Sequence, residues 1–244
     1  MLLRKILIST AAVIFILYNT ALCEEYSEHK DKKVSIALKF GTNSNYNAGS
    51  DYKDFWEPNV NWTRFWPREA SYEYKFTKNI GLELALGYST LNGDSHNILA
   101  AGDYSKTDLA NIYFSPSAKF YFPLKNCLYI YGGIGPDVYD SMGDIHYRDS
   151  GQSYDKKSNV SKWGYGAHGM VGAEYYFFKN PAAHNLYDWP VSIELQYKYT
   201  WAMVKELDKK LINDMNTELG TSYSANDINV GGHLITVGVK WHLF

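Results

Sequence analysis

The sequence predicts an all-β fold: an eight-stranded antiparallel transmembrane β-barrel, with a short amphipathic helix in its last outer loop. Three observations predict it. The chain carries 22 Tyr and 7 Trp beside a mean hydropathy of −0.35, so its rings are dispersed among polar residues rather than gathered in long apolar runs. Its segments alternate: in "VSIELQYKYTW", Val191, Ile193, Leu195, Tyr197, Tyr199 and Trp201 share one face while Ser192, Glu194, Gln196, Lys198 and Thr200 share the other. A strand turns successive side chains to opposite faces, so period two means one apolar and one polar face. Long and short connections also alternate around an even number of strands, which is the pattern of an outer-membrane barrel.

Residues 1–23, "MLLRKILISTAAVIFILYNTALC", read as a secretory signal peptide, with basic Arg4 and Lys5, an apolar stretch from Ile6 to Tyr18, and small Ala21 and Cys23 at its end. The stretch is too short and wrongly flanked for a spanning helix. Cleavage is expected after Cys23; a lipoprotein reading, with Cys23 as the first mature residue, meets Leu22 where a small residue belongs. Removal of the segment leaves Cys127 without a disulfide partner and 22 basic residues against 26 acidic, a net charge of −4. Nothing in that balance points to nucleic acid. Residues 24–32 form a short polar segment, and 33–244 form the barrel. Beyond the signal no apolar run approaches 18 residues, so the crossing is made by strands.

Strands are expected at about 33–42, 68–78, 79–92, 108–124, 127–140, 161–178, 191–203 and 228–244. "TKN", "LKN" and "KNPAAHNLYDWP" are the shorter connections, and 43–67, 93–107, 141–160 and 204–227 the longer ones. In the last of these Val204, Leu207, Leu211, Met215 and Leu219 follow helical spacing up to Gly220, a helix that would cover the barrel mouth. It is not strongly basic, so a cap is favoured over a membrane anchor. The chain closes on "VGVKWHLF" inside its last strand, with Trp241 and Phe244 as an expected insertion signal and Leu243 setting Phe244 out of phase.

The polar faces carry Lys39, Glu73, Lys75, Glu83, Lys119, Glu174, Glu194, Lys198 and Lys240. The interior of an eight-stranded barrel is just wide enough to be filled by its side chains, so these residues are expected to meet as an ion-pair network in the lumen. Such a network is either a rigid plug or a polar path for small solutes. A soluble, lipocalin-like barrel would turn its apolar face inward and show the same alternation. The paired charges, the loop lengths and the terminal aromatic favour the membrane.

"TKNIGLELALGY", "SPSAKFYFPLKNCLYIYGGIGPDVY", "WGYGAHGMVGAEYYF" and "ITVGVKW" resemble the strands of small eight-stranded outer-membrane proteins of the OmpW type and, more loosely, OmpA-like barrels. The resemblance implies a monomeric, integral barrel of the bacterial outer membrane, recognised by the insertion machinery during biogenesis. It also implies a narrow lumen linked to passage of small, often hydrophobic compounds. The charged lumen read here departs from the apolar pocket of that family.

Other motifs yield less. Phe55, Trp56, Trp62, Phe65 and Trp66 crowd the first outer loop, as an aromatic girdle and packed cap or as a docking surface for lipid or an apolar solute. His96 beside Ser95 and Asp94 is the nearest approach to the serine, histidine and carboxylate that a lipid-modifying enzyme would need, and the expectation is no enzyme. Gly164, Gly166 and Gly169 match GxGxxG, but in an alternating stretch rather than between a buried strand and a helix. No histidine pair has ligand spacing, and Asp140 and Asp144 lack the density of a calcium loop. No metal or cofactor is expected; the expected partners are outer-membrane lipid, the insertion machinery and, if the lumen conducts, small solutes.

Overall fold

The computed structural model describes residues 33–45, 65–96, 104–125, 128–149, 154–176, 191–220, 222, 225 and 227–243. The expected signal peptide, the polar segment 24–32, Phe55, Trp56, Trp62, Cys127 and Phe244 lie outside the described residues.

The elements are β1 (Val34–Asn45), β2 (Trp66–Lys75), β3 (Ile80–His96), β4 (Tyr104–Lys125), β5 (Leu128–Asp149), β6 (Tyr154–Tyr176), β7 (Val191–Val204), α1 (Lys209–Leu219), β8 (Ile228–Asn229) and β9 (Gly232–His242). From β1 to β7 each strand pairs antiparallel with the next, and β9 lies between β7 and β1, so the sheet closes into a ring. The closing seam runs from Ser35 opposite His242 to Asn45 opposite Gly232. Leu243 adds one more rung, its N–H donating to the Val34 carbonyl at 2.8 Å. The two-residue β8 pairs with Met203 and Val204 and belongs to the same stave as β9, across a break at Val230 and Gly231. Asn229 pins that break: its Oδ1 accepts the Gly231 N–H at 2.9 Å and the Ala202 N–H at 3.4 Å. The barrel therefore has eight staves, the last of them broken by a bulge.

The faces settle the choice left open by alternation. Ile36, Leu38, Leu82, Leu86, Phe114, Phe120, Val171, Leu195 and Val237 point outward and are exposed, whereas Lys39, Glu83, Lys119, Glu174 and Glu194 point inward and are buried. A soluble barrel would reverse this. Gly87 and Gly172 face inward beneath the rings of Tyr113 and Tyr131 from the adjoining strands, so close that a Cβ there would stand 2.2 Å and 2.4 Å from those rings. Glycine is what lets each tyrosine lie across its neighbour.

Strands β3 to β6 are longer than expected, and the segments 93–107 and 141–160 are largely strand rather than loop. The reason lies in a change of face. Along β4 the outward residues Phe122, Phe120, Phe114 and Ile112 are apolar, and beyond them Asp108 and Lys106 are not. At the same height Leu109, Ile145 and Tyr147 turn inward and are buried, while Asp144 and His146 turn outward. The β4 strand of 22 residues reaches roughly 55 Å along the barrel axis, against an apolar band of ~25 Å. Its outer part therefore behaves as a soluble sheet, apolar inside and polar outside. His146 Nε2 lies 2.6 Å from Asp155 Oδ1 there, and that hydrogen bond holds the Asp155 carboxyl below its ordinary range.

The helix α1 supplies the partner for this inner apolar face. Leu207, Leu211, Ile212 and Met215 pack against Leu91, Leu109, Ile145, Tyr147, Val204 and Ile228. The cap helix was expected from Val204 onward, but Val204 stays in β7, and a turn containing Glu206 at φ 47° intervenes. Gly220 ends the helix in the left-handed conformation at φ 64°, which glycine adopts without steric cost. Lys162 Nζ donates to the carbonyls of Glu206 at 2.5 Å and Lys205 at 3.3 Å, and Lys156 pairs with Glu218, tying the cap to β6. Lys209 donates to Glu206 at 2.8 Å, which depresses the Glu206 carboxyl.

A Cβ at Gly135 would stand 1.9 Å from the Pro116 carbonyl oxygen, whereas one at Gly169 would meet nothing within 4 Å. Gly135→Ala is therefore expected to cost about 1–3 kcal/mol, and Gly169→Ala to stay within about 0.5 kcal/mol of the parent. Urea unfolding of the two variants refolded into lipid vesicles checks the contrast.

Candidate functional site: the barrel lumen

The inward positions of the staves stack charged and aromatic side chains from one mouth to the other. At the end carrying the short turns, Lys75 is half-buried and held by ring faces: its Nζ lies 4.3 Å from the Tyr121 centroid, 5.8 Å from Tyr129 and 5.9 Å from Tyr176. It also donates to the Tyr176 hydroxyl at 3.2 Å, and Tyr176 stacks on His242 at 4.7 Å.

Above this ring cluster the ammonium groups are shared among carboxylates. Lys240 reaches Glu73 at 2.7 Å and Glu174 at 3.1 Å. Lys119 reaches Glu83 at 2.8 Å, Glu73 at 3.3 Å and Glu194 at 3.7 Å. Lys39 reaches Glu83 at 2.9 Å and Glu194 at 3.4 Å, and it donates to the Gln196 side-chain oxygen at 3.0 Å. Lys198 pairs with Glu69 and donates to Ser115 at 3.4 Å. Tyrosine hydroxyls satisfy further carboxylate oxygens: Tyr121 donates to Glu73 at 2.6 Å and Tyr113 to Glu69 at 3.2 Å. A charge out of water is tolerated only when paired and hydrogen-bonded, and the network meets that condition by giving most of its lysines more than one anion.

Of the nine residues expected in the lumen, Lys39, Glu73, Glu83, Lys119, Glu174, Glu194, Lys198 and Lys240 are buried and joined in this network. Lys75 stands at its edge, with no described carboxylate within ion-pair distance. Four acids or bases bonded within the lumen were outside that set, one of them His242, whose Nε2 lies 3.0 Å from Glu174 Oε1. Glu69 shares the phase of Glu73 and could have been read from "REASYEYK"; it sits where the β1–β2 register slips between Lys39 and Phe40. Asp137 and His168 are the others; the inward side of His168, in phase with Glu174, was legible in the alternation, but its partners were not.

Asp137, His168 and Ser117 form a separate relay in the next layer out. His168 Nδ1 lies 3.0 Å from both Asp137 oxygens, its Nε2 2.8 Å from Ser117 Oγ, and Ser115 also donates to Asp137. The order serine, imidazole, carboxylate is that of a nucleophile with its base. All three are buried, however, and a Cβ on neighbouring Gly135 would already stand 2.9 Å from the imidazole. The relay joins side chains of β4, β5 and β6 and so ties the three strands together as a strut. Above it the Tyr113 and Tyr139 rings, 5.2 Å apart, pass into the apolar cluster under α1. A gap of about 20 Å³ beside Lys198, Tyr113 and Thr200 has room for about one water molecule.

The remaining expectations fall as follows. Phe65 and Trp66 are exposed at the outer end of β2, and Phe65 stacks on Phe40 at 6.4 Å. Trp241 faces outward and is half-buried. Asp94, Ser95 and His96 stand consecutively in β3, opposite Lys106, Ser105 and Tyr104 of β4, and their side chains lie outside the described residues. Gly164, Gly166 and Gly169 lie within β6, which continues as strand to Tyr176. Among the described residues no three His, Cys, Asp or Glu side chains are grouped as metal ligands.

A closed ring of eight staves, apolar outside over a bilayer's depth and charged within, defines an integral membrane β-barrel. The chain belongs to the outer membrane protein beta-barrel domain family, whose model matches residues 10–242. It is accordingly an integral protein of the bacterial outer membrane, in contact with that membrane's lipid. Among solved structures it is similar to the outer membrane protein OprG from Pseudomonas aeruginosa, 14% identical over 86% of this chain and 95% of that one, with a TM-score of 0.45. It is also similar to Ail, the attachment invasion locus protein of Yersinia pestis, 14% identical over 86% of this chain and 98% of that one, with a TM-score of 0.38. No curated protein matches it by sequence.

Removing one member of a buried pair strands its partner's charge, which typically costs ~3–5 kcal/mol. Lys119→Met and Glu83→Gln are each expected to destabilise the refolded barrel on that scale. The double variant is expected to lose less than the sum of the two, by a coupling that a double-mutant cycle in urea reads directly.

Proposed function

We propose that the chain is a monomeric, non-enzymatic barrel closed to solutes, and that it serves as a rigid anchor for the outer extension of β3–β6 and its α1 cap at the cell surface. The observation that carries this reading is the continuity of the filling. Tyrosine rings at the short-turn mouth, shared ion pairs at mid-depth, the Asp137–His168–Ser117 strut and the apolar cluster under α1 follow one another along the axis. A path for ions would need to break several pairs that hold Lys39, Lys119 and Lys240, and a path for apolar compounds would need to cross the same charged layer.

The surface role is supported by where the chain invests its structure outside the lipid. The strands β4, β5 and β6 run 22, 22 and 23 residues, about twice what a bilayer requires. Their outer ends are stiffened by ladder hydrogen bonds and a packed helix instead of being left as loops. Loops and extensions mounted on a rigid scaffold are where recognition concentrates. The anchor reading keeps the N-terminal signal peptide and the C-terminal insertion signal as its route to the membrane.

The test is conductance of the refolded protein in a planar bilayer at low and high salt, with insertion confirmed by the gel-mobility shift on heating. A silent, fully inserted barrel is expected. Reproducible steps that change in Glu194→Gln or Lys119→Met would replace the anchor with a narrow channel.

A further inference from the structure

Lys75 differs from the other lumen lysines in what holds it. Lys39, Lys119, Lys198 and Lys240 each lie within ion-pair distance of a carboxylate. Among the described residues the Lys75 ammonium has instead the Tyr176 hydroxyl at 3.2 Å and the faces of three tyrosine rings. The acids of the adjoining layer are engaged elsewhere: Glu73 accepts from Lys240, Lys119 and Tyr121, and Glu174 from Lys240 and Ser192. Lys33 adds a second positive charge at the same mouth. It precedes β1 in the inward phase of Ser35, Ala37 and Lys39, and its carbonyl accepts the Lys75 N–H at 2.7 Å, so the two lysines stand opposite each other. Like charges directly opposite are destabilising, and a half-buried ammonium in that position calls for an anion.

The chain supplies one at that mouth. Residues 24–32, "EEYSEHKDK", run directly into Lys33 and carry four acids, Glu24, Glu25, Glu28 and Asp31, against two lysines. Neighbouring staves lie about 5 Å apart, so a side chain that comes back alongside Lys33 is next to Lys75. The tightest reversal of a chain takes about four residues. Asp31 is too near Lys33 to turn back, whereas a turn over residues 29–32 returns Glu28 to the mouth. A tether this short holds its carboxylate at an effective concentration on the order of millimolar, which favours it over an untethered partner of the same chemistry. In bacterial barrels the short turns face the periplasm, which puts this mouth on the periplasmic side.

We propose that the periplasmic mouth is a carboxylate site filled by the chain itself: the segment 24–32 turns back and sets Glu28 against the Lys75 ammonium, beside Lys33 and the tyrosine rings. The contact is a latch on the periplasmic end of the lumen, and it holds whether or not the charged layer above conducts. It is tested by acetylating the lysines of the refolded chain, from residue 24 onward, in mild detergent and reading each site's rate by mass spectrometry. Lys78, exposed in the turn between β2 and β3, is the internal standard. Lys75 is expected to react far more slowly than Lys78 in the parent. Glu28→Gln should speed the reaction of Lys75 about tenfold, the equivalent of ~1.4 kcal/mol of lost contact, and leave Lys78 unchanged. Glu24→Gln with Glu25→Gln, which takes twice the charge from the same segment, should leave Lys75 protected. An unchanged Lys75 rate in Glu28→Gln, or an equal rise in the double variant, would overturn the assignment. The mobility shift on heating confirms that each variant is folded.

Discussion

No water reaches the apolar layer of a bilayer, so every backbone N–H and C=O that crosses it must find its partner within the chain. The ring closed by β1 against β9 meets that demand, and most of the remaining architecture follows from it. A closed ring has no edge to pair with a neighbour. It also has two sides of opposite character, since period-two alternation sends Leu38 and Leu195 to the lipid and Lys39 and Glu194 to the interior. Eight staves leave an interior that side chains can fill. The charged lumen is thus the consequence of a small closed barrel whose inward positions are long and polar.

Within that interior the choice of residues is constrained by desolvation. A lysine buried opposite a single glutamate would keep several unsatisfied protons, and the network instead places Lys39 and Lys119 among several acceptors each. Tyrosine serves two ends at once. Its ring covers an ammonium, as Tyr131 does for Lys119 at 4.1 Å, and its hydroxyl donates to a carboxylate or an amide oxygen, as Tyr131 does to Gln196 at 3.2 Å. The glycines beneath Tyr113 and Tyr131 make that geometry possible. The tyrosine content that first marked the sequence therefore serves a packed polar core as well as a lipid girdle.

How much of this was legible can be judged residue by residue. The transmembrane strands were readable because lipid on one side and packed charge on the other enforce alternation at every position, and the same phase gave eight of the nine network members. Glu69 was legible as well, since it shares the phase of Ser71 and Glu73; the bulge opposite Lys39 and Phe40 lies just before it. The outer ends of the long strands, 104–107, 141–149 and 154–160, read as loops in the sequence because the rule changes sign there: above the membrane Ile145 and Tyr147 face in and Asp144 and His146 face out, so a search for apolar-outward strands finds nothing. Helical spacing marked the α1 cap and its Gly220 stop correctly, but the sheet beneath it could not be inferred from the helix alone. The Asp137–His168–Ser117 strut joins three strands across as many as 51 positions of sequence, and no local pattern announces such a contact.

The role proposed for the barrel depends on a lumen sealed by packed side chains from mouth to mouth. Thiol accessibility tests it most directly. With Cys127 replaced by serine, a cysteine is placed at Ser117 in the strut, at Gln196 in the charged layer, or at Lys106 on the outer extension. Each variant is reconstituted and treated with a membrane-impermeant methanethiosulfonate from either side. The account predicts rapid labelling at 106 and none at 117 or 196 until the barrel is unfolded; labelling of the two lumen positions in the folded, inserted protein would contradict it.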